Sequence, residues 1–208
     1  MKDKKLSIIY KICSMIYIVF LIYAFYRNWM RKYFFMTIVS CFTPFIAPMI
    51  MRILKVQVPI EFNLINIVFV FMASLWGSCL GGYTLAYFDK IVHFLCGIIF
   101  TELFYMLYKY YLRDDKRKSL MFIFVNGLNM AAAVIWEFYE YFLFYFFQYD
   151  AIRNSTGVYD TITDMIVAAI GGLLLSLYLI RYDQDKKNRF FVSLERKTYL
   201  MNKTNSEN

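Results

Sequence analysis

The sequence predicts an all-α fold, a polytopic membrane protein built as a bundle of six transmembrane helices, and three observations carry that expectation. Of the 208 residues, 61% are hydrophobic and only 18% charged, with a mean hydropathy of +0.48, whereas soluble domains run at roughly 45–50% apolar and about 25% charged. The apolar residues gather into six runs of about 20, the length an α-helix needs to cross roughly 30 Å of hydrocarbon. Clusters of Lys and Arg separate several runs, and no linker is long enough to hold a soluble domain. Disorder is excluded, and a water-soluble globular domain does not fit.

The spans are expected at 8–26, 33–51, 64–80, 91–111, 120–147 and 161–180, within one membrane domain over 1–180. The first follows a basic start at Lys2, Lys4 and Lys5. It is longer than a signal-peptide core and lacks a small-x-small cleavage site, so it should remain as an anchor. The second contains Pro44 and Pro48, which are expected to kink it. Cys13, Cys41, Cys79 and Cys96 fall inside the spans without a CxxC pair and read as ordinary buried residues. The tail, 181–208, is basic with Phe190, Phe191, Val192, Leu194, Tyr199 and Leu200 interspersed. It reads equally as an amphipathic segment on the inner leaflet or as a frayed soluble tail.

Orientation follows from Lys and Arg, because positive loops are retained in the cytoplasm. With the N-terminus inside, 18 of the 23 basic residues lie on the cytoplasmic side, and only Arg27, Arg31, Lys32, Lys90 and Arg153 lie outside. Both termini are therefore expected to be cytoplasmic (N-in/C-in). The net charge of +8 follows from topology and contact with anionic lipid, so the bilayer is the expected partner and nucleic acid is not. Nothing in the sequence sets the oligomeric state.

Ionisable residues are costly in a span and are functional by default. The first three spans have almost none, whereas each of the last three carries a pair: Asp89 and His93, Glu137 and Glu140, Asp160 and Asp164. Spacings of three or four put both members of a pair on one helix face. At 1.5 Å per residue all three pairs reach the same outer level, followed on the fifth helix by the aromatic run Tyr141 to Phe147, an interfacial belt. Gly97, Ala133, Ala168 and Gly171 continue those faces and permit close helix approach. The stripe Asn126, Met130, Ala133, Glu137, Glu140 has the spacing of an interhelical seam.

Five carboxylates cannot share a site near low dielectric unless protons or a cation join them. The candidate metal ligands are Asp89, His93, Glu137, Glu140, Asp160 and Asp164, and carboxylate oxygens with one histidine suit divalent Mg, Mn or Zn. His93, the only histidine, is the natural acid or base, which makes His93, Glu137 and Asp164 the candidate catalytic set. The alternatives are shared protons, a cationic ligand, or structural hydrogen bonding across helices. Glu102 stands apart, nine residues past His93 and about 13 Å deeper. It reads as a proton relay or as a neutral, hydrogen-bonded acid, and the second is preferred because no other ionisable group is placed to receive its proton.

The segments Phe88-Asp89-Lys90-Ile91-Val92-His93-Phe94 with Gly97, Trp136-Glu137-Phe138-Tyr139-Glu140, and Tyr159-Asp160-Thr161-Ile162-Thr163-Asp164 with Gly171-Gly172 resemble the YjdF-like family of bacterial inner-membrane proteins. More distantly they are similar to VanZ-like proteins. The resemblance covers about residues 64–180 and implies a multi-pass protein of the bacterial cytoplasmic membrane. It supplies no reaction, because the family has no settled activity.

Three functions compete. The first is an outward-facing, metal-assisted site acting on envelope lipid headgroups or lipid-linked precursors. The second is a non-catalytic partner subunit whose polar cluster locks three helices. The third is a cation- or proton-coupled transporter, for which Asn126, Asn129 and Thr101 offer a thin inward path but no inverted repeat is visible.

Overall fold

The structure, a computed structural model, describes residues 2–31, 33–113, 115–149, 157–183 and 189–206. Lys32, Arg153, Lys186 and Lys187, used above for orientation, lie outside the described residues. Helix α1 runs over Lys2–Asn28 and α2 over Phe34–Ile53. Helix α3 starts at Ile60–Val70 and continues as a π-helix, Phe71–Cys79, before a short 3-10 turn, Gly82–Thr84. Then come α4 (Phe88–Tyr111), α5 (Lys118–Phe147), α6 (Val158–Tyr182) and α7 (Phe190–Ser206). No strand occurs among the described residues. Six helices among the described residues are long and apolar enough to cross a bilayer, α3 being counted with its π segment, and the protein is an all-α, multi-pass membrane protein. The chain forms two compact units, 1–88 with 196–208, and 89–195.

In the first unit, α2 stays helical through both prolines because neighbours satisfy what they release. Proline lacks the N–H that would bond the carbonyl four residues back. The carbonyl of Ser40, freed by Pro44, accepts from the Tyr17 hydroxyl at 2.7 Å, and that of Pro44, freed by Pro48, accepts from the Asn66 amide at 2.9 Å. The helix ends at Leu54 and Lys55, the latter at φ +56°, and the Val56 amide bonds the Met51 carbonyl at 2.8 Å, the six-to-one closure of a left-handed cap. Side chains of α1 close the π segment: Asn28 donates to the Cys79 carbonyl at 3.0 Å and Arg27 to that of Leu80 at 2.9 Å. The outward face of α1, with Met15, Val19 and Ile22 exposed, is apolar, as a lipid-facing surface must be. From the tail, Lys197 pairs with Glu61, and Asn202 bonds the backbone of Gln57.

The second unit packs α4, α5 and α6 with the start of α7. Its core joins Tyr105 and Tyr108 of α4, Met121 and Val125 of α5, Leu175 and Leu179 of α6, and Val192 of α7. This start of the tail is thus a docked helix rather than a frayed segment: Val192 and Leu194 are buried. The buried stripe of α5 is Met121, Val125, Asn129, Ala133 and Glu137. It shares Ala133 and Glu137 with the expected seam, of which Met130 is exposed while Asn126 bonds Ser176 of α6. A run of four-residue steps keeps one face inward, whereas the step from Asn126 through Met130 starts on the neighbouring face.

Candidate cation site in the second unit

Helices α4 and α6 begin about three residues before their apolar runs do, so Asp89 and Asp160 lie in first helical turns, where the helix dipole favours a carboxylate. Two glycines bring these ends together. A Cβ on Gly97 would stand 2.0 Å from the carbonyl oxygen of Ala168, and one on Gly171 would stand 2.3 Å from that of Phe94. Backbone therefore touches backbone, an approach no larger residue allows. Gly97 is four residues past His93 and Ala168 four past Asp164, so the contact sets those two side chains at one level. Helix α5 joins through Asn129, whose amide donates to the Ala168 carbonyl at 3.2 Å, and Asn126, which donates to Ser176 Oγ at 2.9 Å.

At this end Lys90 takes the central place. Its Nζ donates to Asp164 Oδ1 at 2.7 Å and to Asp160 Oδ1 at 2.8 Å, and lies 3.6 Å from Asp89 Oδ2. His93 Nε2 is 3.5 Å from Asp89 Oδ1 and 3.8 Å from Asp164 Oδ1. Asp89, His93 and Asp164 are all buried, and each offers one ligand atom within 4.8 Å of the others. Glu137 is 6% exposed and close enough to His93, Asp164 and Asp89 to feel their charge. Thr161 is a near hydroxyl, yet neither Glu137 oxygen has a hydrogen-bond partner among the described residues. Glu140 is engaged by its own helix, accepting from Trp136 Nε1 at 2.8 Å.

Of the six expected ligands, then, three converge as Asp89, His93 and Asp164. Asp160 is tied to them through Lys90, Glu137 is buried beside them, and Glu140 is bonded to Trp136. Sequence reasoning noted Lys90 as a nearby charge and missed its role. The signal was its position next to Asp89, at the start of a helix whose next turn carries His93.

One ammonium faces three carboxylates, which leaves room for further positive charge. Ligand atoms around a divalent ion at about 2.0–2.2 Å stand roughly 3–4 Å apart, and the 3.5 and 3.8 Å separations fall in that range. Two carboxylate oxygens and an imidazole nitrogen form a donor set for Mg, Mn or Zn rather than for a thiophilic metal. The four cysteines are free, with Cys79 and Cys96 buried, and none joins the group.

No curated protein and no solved structure matches the chain. Residues 9–185 match the family described as Predicted membrane protein (DUF2238), which is the family of the YjdF-like proteins, and the chain belongs to it.

Proposed function

We propose that the second unit carries an outward-facing divalent-metal site of the bacterial cytoplasmic membrane, acting on phosphate-bearing lipid headgroups or lipid-linked precursors. The observation that carries this reading is the convergence of Asp89, His93 and Asp164 beside a buried Glu137 whose oxygens are unbonded. The first three would hold the ion, which when bound would polarise a phosphoryl oxygen. Glu137, unencumbered by hydrogen bonds, is the group free to take a proton from an attacking water. Lys90 is placed to meet an anionic headgroup once a metal relieves it of Asp164. Beside them, Tyr141, Tyr145 and Phe146 at the end of α5 are exposed, as an aromatic belt seating acyl chains would be. With both termini cytoplasmic, this end of the unit lies in the outer leaflet.

The test is phosphate release from a lipid-linked diphosphate and from phosphatidic acid, a phosphomonoester lipid, in mixed micelles, with Mg, Mn or Zn supplied. The expected result is metal-dependent release that falls about 100-fold or more in His93→Ala and Glu137→Gln. Release at the wild-type rate in both variants contradicts it. A second reading, a structural lock in a partner subunit, is favoured by the two hydrogen bonds of Lys90, which neutralise part of the cluster without a metal. It predicts lower stability in these variants, with no metal bound and no lipid turned over.

A further inference from the structure

The second unit holds another set of buried polar groups, which the proposed site does not use. Glu102 of α4 is 2% exposed, and neither carboxylate oxygen has a hydrogen-bond partner among the described residues. The expected neutral, hydrogen-bonded acid therefore finds no bonding group there. Its place in α4, three residues before Tyr105 and seven before Lys109, sets it on their face and away from that of His93. On that face the Tyr105 hydroxyl donates to Asp183 Oδ1 at 2.6 Å, and Lys109 Nζ lies 2.8 Å from both oxygens of Asp183. Helix α7 adds Glu195, which Arg113 holds at 2.5 Å and whose charge acts on Glu102. Burial pushes the Glu195 carboxyl above its ordinary range, with Arg113 and Lys109 pulling it back. Three carboxyls, Glu102, Asp183 and Glu195, thus face two cations, Lys109 and Arg113, which leaves one carboxylate without a counter-charge. The second ionisable group that the sequence did not place beside Glu102 comes from the tail.

Between this end and the Asp164 end lies a polar layer. A Cβ on Gly172 would stand 2.2 Å from Asn129 Nδ2 and 2.7 Å from Thr101 Oγ1, so the two side chains close over that glycine from α5 and α4. Both are buried, and Thr101 Oγ1 and Asn129 Oδ1 have no hydrogen-bond partner among the described residues. Unbonded buried oxygens therefore gather at one level of the unit, at Glu102 and its neighbour Thr101 with Asn129, and recur eight residues along α5 at Glu137. Native interiors serve such atoms with ordered water or a proton, and within a membrane they mark proton and ion paths.

We propose that the second unit carries a proton path: Glu102 takes up a proton from the Asp183 end, and water held by Thr101 and Asn129 passes it to the opposite end. The step is a proton transfer alone. A solvent proton binds the Glu102 carboxylate and leaves it as hydronium, and nothing is oxidised or reduced. The path stands whether or not a metal binds at Asp164.

The experiment uses the full chain in liposomes with a trapped pH-sensitive dye, driven by a potassium diffusion potential. Wild-type vesicles should admit protons faster than protein-free vesicles. Glu102→Gln and Asn129→Leu should each slow the protein-dependent rate at least about tenfold, and Glu102→Asp should retain part of it. Proton entry equal to that of protein-free vesicles, or undiminished entry in Glu102→Gln, overturns the proposal.

Discussion

Lys90 extends into the carboxylate cluster and divides its charge over Asp160 and Asp164. A hydrogen bond to a charged group contributes about 1.5–3 kcal/mol. Because a quarter of the Lys90 side chain is exposed, solvent screening lowers that figure. Lys90→Met should cost about 2 kcal/mol of stability, read as a lower midpoint in thermal unfolding in detergent. Added Mn²⁺ should narrow the difference, since a bound dication supplies the charge the lysine no longer does. A deficit unchanged by metal would mean that the cluster depends on the ammonium alone. Just before α5, hydrogen bonds from the Arg117 side chain and amide hold the Asp115 carboxyl down at about 2.

Element by element, the contacts that position the site are tests of close approach. Gly97→Ala would place a methyl 2.0 Å from the Ala168 carbonyl oxygen, forcing α4 and α6 apart, at a cost of about 1–3 kcal/mol and with loss of metal binding. Gly127→Ala on α5 meets nothing within 4 Å and should be neutral or stabilise by up to about 1 kcal/mol. The same unfolding measurement checks both. Asn66→Leu in α3 leaves the Pro44 carbonyl of α2 unbonded and should cost about 1–2 kcal/mol. Pro48→Ala in that background restores the backbone N–H and should recover most of the loss. Failure of the rescue would show that Asn66 stabilises by packing rather than by serving the carbonyl.

The existence of the six spans was legible because hydropathy and length suffice to mark a helix in lipid. Their first turns were not, because Asp89 and Asp160 lower the hydropathy where the helix begins. The π winding of 71–79 was invisible for a different reason: an apolar run surrounded by lipid and protein satisfies composition at either pitch. The tail could not be assigned from its mixed composition, since what orders it is docking of Val192 and the ion pairs of Glu195 and Lys197. The convergence of Asp89, His93 and Asp164 was readable from spacing and topology, whereas the central place of Lys90 and the grouping of Glu102 with Asp183 and Glu195 required the packed helices.

For the whole molecule, the charge bias predicts both termini in the cytoplasm. A fluorescent protein fused after Asn208 should be bright, and alkaline phosphatase fused after Gln148 should be active. The opposite pattern would put the Asp164 end on the inner leaflet and remove headgroups of the outer leaflet as substrates. The most direct test of the central claim, a metal site at Asp89, His93 and Asp164, is elemental mass spectrometry of the detergent-purified protein beside Asp164→Asn. The account predicts a divalent metal in stoichiometric amount in the wild type and its loss in the variant. Wild-type protein without metal after purification in the presence of Mg, Mn and Zn, or a variant that retains it, would contradict the claim.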